Sequence, residues 1–227
     1  MAEDHEGASP GRPAPESAEA WFARVEAALD GDRTLPASPP DGTARWDAFP
    51  FVIADDARTH PVAPLAEFDR PRTGEGSSPC HCAGTAMPGS IEDDPNLMWR
   101  NDSWQLRRFE RTGLPIIAIL EPIAHHDLPE LPEALAGELG LLMVRLAAAI
   151  ETLPSVGRCH VNRWGDGGAH AHVWFFARPV RHPQVTGSVV PLWDDLLPAL
   201  PDAVRDANAA HVARELLARH GGIALMA

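Results

Sequence analysis

Three short stretches of this 227-residue chain concentrate side chains that bind metals or attack electrophiles. The sharpest is His170-Ala171-His172-Val173-Trp174. In a strand alternate residues share a face, so His170, His172 and Trp174 are expected on one side. Paired imidazoles at that spacing suit metal ligation or nucleophilic catalysis. The second stretch is Cys80-His81-Cys82, three ligand-type side chains after a Gly/Ser/Pro loop, which reads as half of a zinc site. Adjacent residues rarely all reach one ion, so Cys80 and Cys82 are the expected pair. The third is His125-His126, on a loop that follows Glu121-Pro122 and precedes a helix. Taken singly, each motif also fits a plain role: solvated histidines, fortuitous loop cysteines, a core thiol at Cys159. Asn162 lies on the strand before the histidines, and the turn containing Gly167 and Gly168 would let a ligand approach the backbone. Arg178 is a candidate phosphate partner or an ordinary surface cation.

These residues need elements to hold them. Trp99 and Trp104 flank Asn101-Asp102, which predicts a hairpin. The apolar run 114–120 reads as a buried strand, and 132–153 as a long helix with apolar residues at 135, 139, 142, 143, 146 and 150. Strands over 158–164 and 170–176 follow, and the tail 192–219 reads as two helical pieces divided by Pro198 and Pro201. Upstream, 17–29 has the apolar spacing of an amphipathic helix, and 49–54 looks like a short strand within a Pro- and Gly-rich segment. The expected class is α+β with a mainly antiparallel sheet. The expected organisation is a disordered tail over 1–15, a helix and irregular extension over 16–79, the main domain over 80–185, and a helical extension over 186–227.

Composition narrows the chemistry. All 19 basic residues are Arg, and Tyr is absent. This removes Schiff-base, P-loop-lysine and tyrosine acid–base mechanisms. A net charge of -13 disfavours nucleic-acid and anionic-membrane partners. No apolar run reaches transmembrane length, the N-terminus does not read as a signal peptide, and three cysteines fit a reducing, cytoplasmic setting.

From about residue 80 to 180 the chain resembles the histidine-triad (HIT) superfamily, including its galactose-1-phosphate uridylyltransferase branch. The resemblance rests on the order Cys80-His81-Cys82, Trp99 to Trp104, Pro122-Ile123-Ala124-His125, the long helix, Asn162, Gly167-Gly168, and His170-Ala171-His172 followed by Arg178. It implies a HIT-like fold and a nucleotide hydrolase or nucleotidyltransferase. The middle histidine, His172, would attack an α-phosphate and form a nucleotidyl-histidine, with His170 beside it. Asn162, Gly167, Gly168, Trp174 and Arg178 would bind the substrate, a small phosphorylated molecule. It also implies one structural Zn2+ held by Cys80, Cys82, His125 and His170, and suggests a homodimer. Two positions depart from the pattern: Trp174 stands where the family has His or Gln, and the cysteines are one residue closer than usual. The alternative reading is therefore a catalytically inactive HIT-like domain that binds a nucleotide or a protein partner around a structural zinc site. A cupin is disfavoured, since no glutamate follows the His-x-His pair.

Overall fold

The computed structural model describes residues 14–28, 51–52, 58–59, 70–80, 82, 94–182, 185, 187 and 189–226. The tail 1–13 and most of the segment 29–69 lie outside these, as does His81.

The element order is α1 (Ala18–Glu26), β1 (Phe51–Val52), β2 (Arg58–Thr59), β3 (Leu97–Arg100), β4 (Trp104–Arg108), β5 (Ile117–Pro122), α2 (Glu133–Ile150), β6 (Val156–Asn162), β7 (Val173–Pro179), α3 (Val190–Leu196), α4 (Asp202–His220) and β8 (Ile223–Ala224). β1 and β2 pair only with each other, within the segment expected to hold a short strand. The remaining six strands form one antiparallel sheet in the order β6-β7-β5-β4-β3-β8. The class is α+β, as expected.

The hairpin turn works through Asn101. Its Oδ1 accepts from the N–H groups of Ser103 and Trp104 at 2.9 and 2.7 Å. That closes the turn between β3 and β4 with a side chain that mimics a backbone carbonyl. The buried strand begins three residues later than the apolar run suggested. Pro115 has no N–H to give a ladder, and the residues before it are committed to the knot described below. β8 had no signal of its own; two residues pair with Trp99 and Arg100 after Gly221 and Gly222 turn the chain back.

Alternation along the strands divides the sheet into two faces. On one, Leu106, Ala118, Leu120, Val173, Phe175 and Ala177 pack with α2 and α4 to form the main core. The stripe on α2 is Leu139, Leu142, Leu146, Ala149 and Ile150, the spacing that faces one side of a helix. On the other face, Ile117 and Phe176 pack with Trp21, Val25, Leu114, Val190 and Leu197, with Trp174 partly buried against them. This second face is only partly roofed by α1 and α3, and its uncovered portion is where the histidine segment ends.

A buried carboxylate ties the roof to the sheet. Asp194 Oδ1 accepts from Thr112 Oγ1 at 2.6 Å, Gly113 N at 2.7 Å and Leu114 N at 3.2 Å. Burial pushes its pKa up, against these three donors, which favour the charged form. The Gly113 carbonyl accepts from Trp21 Nε1 and from the Arg24 guanidinium, both at 3.1 Å. A Cβ on Gly113 would stand 2.3 Å from the Leu197 Cβ, so only glycine lets α3 close on this loop. Asn208 of α4 completes the anchoring: its Oδ1 accepts from Glu16 N and its Nδ2 donates to the Pro115 carbonyl.

Asp194→Ala leaves the Thr112 hydroxyl and the Gly113 N–H without an acceptor in a dry setting, while Leu114 N–H keeps Thr112 Oγ1 at 3.0 Å, and should lower the unfolding free energy by about 2–4 kcal/mol in urea titrations. Asp194→Asn, whose amide oxygen can still accept, should cost clearly less.

Candidate functional site

Four ligand-type side chains converge from three chain segments. The Sγ atoms of Cys80 and Cys82 and ring nitrogens of His125 and His170 all lie within 4.8 Å of one another. Cys80 Sγ is 3.5 Å from His170 Nδ1, Cys82 Sγ is 3.4 Å from His125 Nδ1, and the two sulfurs are 3.0 Å apart. A tetrahedral zinc with Zn–S near 2.3 Å and Zn–N near 2.0 Å has ligand–ligand edges of about 3.3–3.8 Å. The donor set and the two sulfur–nitrogen spacings fit one such ion, and the two sulfurs, at 3.0 Å, would have to part to about 3.8 Å to take it. Two further observations support the fit. His170 is buried, and its Nε2–H donates to the Pro122 carbonyl at 2.7 Å, which leaves Nδ1 with its lone pair toward the sulfurs. This is the backbone brace that ligating histidines ordinarily have. Gly74, at φ +90°, passes so close that a Cβ there would meet His125 Cε1 at 3.1 Å and Cys80 Cβ at 3.2 Å. The cradle leaves no room for a side chain. The tight Cys-x-Cys spacing is accommodated, since Cys82 N–H also donates to Cys80 Sγ at 3.4 Å.

The loop that carries the cysteines is fastened before it reaches them. Thr73 N–H donates to the Gly167 carbonyl at 3.0 Å, and its own carbonyl accepts from Ala169 N–H at 2.9 Å, so Thr73 bridges Gly168 in parallel. Arg72 pairs with Glu75 at 2.7 Å and with Asp127 at 2.8 Å, and Arg163 reaches Asp127 from the opposite side at 3.0 Å. Burial opposes the Asp127 charge, but the Leu128 N–H and the two guanidiniums hold its pKa below the usual carboxylate range. Nothing in the sequence marked Arg72, Thr73 or Asp127. Their partners lie about 35 to 95 residues away, beyond the reach of local pattern.

The histidine segment differs from its expectation in one respect. β7 begins at Val173, so His170 and His172 lie just before the strand and do not share a strand face. The ring of His170 turns to His125, with centroids 5.4 Å apart, while the ring of His172 turns to Trp174, at 6.4 Å. Both nitrogens of His170 are engaged, Nδ1 by the Cys80 sulfur and Nε2 by the Pro122 carbonyl. His172 is half-buried, and its Nδ1–H donates to the His170 carbonyl at 2.7 Å. Among the described residues no hydrogen bond is made at its Nε2. The segment is pinned between the two rings by Ala171 N–H, which donates to the His126 carbonyl at 2.7 Å.

Beyond His172 the open part of the second sheet face is aromatic. Trp174 stacks along Phe176 with centroids 5.7 Å apart, and Phe109 and Trp164 meet it at 5.5 and 6.0 Å. These four rings line a cleft of about 270 Å³ that Asp194 and Asp195 border from α3. Trp174 is thus a wall of the cleft. Asn162 stands opposite Trp174 in the β6–β7 register, and its Nδ2 is buried without a partner. Gly167 and Gly168 serve the Thr73 bridge. Arg178 shares the face of Trp174 but stands six residues beyond His172, roughly 20 Å along an extended chain. Its guanidinium donates to the carbonyls of Pro179 and His182. The structure therefore does not bring it to His172. Cys159 is only part-buried, though packed against the core, with its thiol pushed up to about 12 by burial and the nearby Glu151 carboxylate. Phe109 and Trp164, the exposed rings of the cleft, were missed because each closes a strand reading as one more apolar residue.

No family model matches this chain, and no curated protein matches it. Among solved structures it aligns with a zinc-bound histidine triad family protein from Mycobacterium smegmatis, at 14% identity and TM-score 0.42, over 61% of this chain and 92% of that one. At this distance the site has to be argued from its own residues. No helix described here is long and apolar enough to cross a membrane.

Purified protein should carry one zinc per chain, and Cys80→Ser or Cys82→Ser should lose it, as read by elemental analysis after gel filtration. Gly74→Ala should weaken zinc retention against a chelator. Burial and the Cys80 thiol push the Cys82 thiol up to about 11. Zinc must therefore displace its proton throughout the neutral range, and apparent affinity should rise at least about tenfold per pH unit between pH 6 and 8.

Proposed function

We propose that this chain is a HIT-like nucleotide-binding protein that acts as a nucleotide hydrolase or nucleotidyltransferase, with His172 as the nucleophile and one structural zinc on Cys80, Cys82, His125 and His170. The observation that carries the reading is the setting of His172. Its Nδ1–H is committed to the His170 carbonyl at 2.7 Å, so the Nε2 lone pair is the free nucleophilic position, beside an aromatic cleft. The ordered motif set along residues 80–180 supports the same reading.

The chemistry follows from that tautomer. Nε2 attacks the α-phosphorus of a nucleotide conjugate. A P–N bond forms, the bond from phosphorus to the leaving group breaks, and its electron pair departs with the leaving group, which takes a proton from solvent. The imidazole becomes positively charged, and the His170 carbonyl at Nδ1–H stabilises that charge. Attack by water, or by a second phosphate, then breaks the P–N bond and returns neutral His172. The Asn162 amide, opposite Trp174 with its Nδ2 enclosed and without a partner, is the side-chain donor we assign to the developing charge on phosphate oxygens, once substrate uncovers it. The zinc supplies no step; its ligands position the peptide that carries the accepting carbonyl.

The alternative, binding without turnover, starts from Trp174 at the third triad position. A Trp that lines a cleft favours retained binding in either case, so turnover decides between them. With a panel of adenosine and guanosine phosphoramidates, dinucleoside polyphosphates and sugar nucleotides, His172→Ala should lose turnover by about 10³-fold or more and still bind nucleotide. Acid-quenched wild type should carry the α-phosphate label on His172. Equal turnover by both proteins would sink the mechanism. Tight binding with neither turnover nor label would favour the inactive reading.

A further inference from the structure

The cleft next to His172 has a chemical bias that the nucleotide reading does not explain. Its walls are four aromatic rings, of which Trp164 and Phe109 remain 42% and 40% exposed. Exposed aromatic surface in a concave site suits the face of a flat ring. Its volume of about 270 Å³ lies just under the range of drug-sized pockets, enough for one base and too small for two. Among the described residues only two ionisable groups line it, and both are carboxylates, Asp194 and Asp195. No cationic side chain lines it among those residues, although the Arg111 charge acts on Asp195.

The two carboxylates differ. Asp194 Oδ1 is saturated by Thr112, Gly113 and Leu114, and so belongs to the fold. Among the described residues Asp195 makes no such hydrogen bonds. It follows Pro191 by four residues and Leu192 by three, which puts it on the helix face that borders the cleft. Desolvation raises its pKa, with Arg111 opposing. A carboxylate in that condition gains from paired donors.

A carboxylate only accepts, so it discriminates among bases by their edges. Uracil presents a single N3–H flanked by two carbonyl oxygens, so it gives the carboxylate one bond and sets both oxygens against it. Adenine and cytosine each offer one amino group beside an acceptor nitrogen. Guanine alone offers two parallel donors, N1–H and N2–H2, spaced to meet both carboxylate oxygens as a charge-assisted pair.

We propose that the aromatic cleft lined by Trp164, Trp174, Phe109 and Phe176 holds the base of a guanine nucleotide, with Asp195 at the rim accepting from N1–H and N2–H2. This rests on the nucleotide reading of His172 and gives it a specificity.

The test is calorimetric titration of the full-length, zinc-loaded protein with GMP, IMP, AMP and UMP. GMP should bind tightest. IMP, which lacks the 2-amino donor, should bind about tenfold more weakly, and UMP weakest. Asp195→Asn should weaken GMP at least about tenfold and leave AMP within about threefold, the unchanged AMP affinity showing that the variant is folded. Nucleotides that bind without preference for guanine, or a GMP affinity indifferent to Asp195→Asn, would overturn this inference and leave the nucleotide reading standing. Failure of all four to bind would overturn both.

Discussion

Four ligands drawn from three segments set the geometry on which the site depends. Cys80 and Cys82 come from a segment before β3, His125 from just beyond β5, and His170 from the run-in to β7. Among the described residues no backbone ladder joins the cysteine segment to β5. What joins it to the rest is the Thr73 bridge to Gly168, the Asp127 ion pairs and the sulfur–imidazole cluster itself. Two buried or half-buried thiols left protonated are poor partners for imidazoles. An ion that takes their protons turns a loose polar cluster into a rigid corner. His170 has its ring in this corner and its carbonyl on His172, so the corner also bears on the tautomer of His172.

The division of the sheet explains why the site lies where it does. One face is consumed by α2 and α4, whose apolar stripes leave no opening. The other face is covered by short pieces, α1 and α3, held down by polar contacts at Asp194, Gly113 and Asn208. Polar anchoring of a small roof leaves part of the sheet bare. The bare part is walled by aromatic residues, whose faces tolerate both water and a stacked ligand.

Much of this was legible from local signals. The hairpin at Asn101-Asp102, the α2 stripe, the α3–α4 break at the prolines and the α1 helix all depend on residues within a turn or two of each other, and pattern reads such dependence. The ligand set was implied by the family resemblance, and the four side chains do converge within 4.8 Å of one another. What pattern could not show was distance and commitment. Arg178 had the right parity along β7 but stood too far out, and its guanidinium was already engaged with carbonyls. The His-x-His pair looked like strand alternation, yet the ladder starts only at Val173, because Ala171 N–H is spent on the His126 carbonyl. Gly74 carried no signal at all, since its need for a bare Cα comes from His125, fifty-one positions later.

His170 meets the two halves of the site with different parts of itself. Its ring faces the sulfurs, and its carbonyl oxygen holds the proton of His172. Side chains can be exchanged by mutation; a peptide carbonyl cannot. Substitution can therefore erase the His170 imidazole while the orienting carbonyl for the neighbouring histidine persists in every sequence that keeps the same chain path. The sulfur–imidazole cluster and the orientation of His172 meet in one residue of this protein and are yet separable by inheritance.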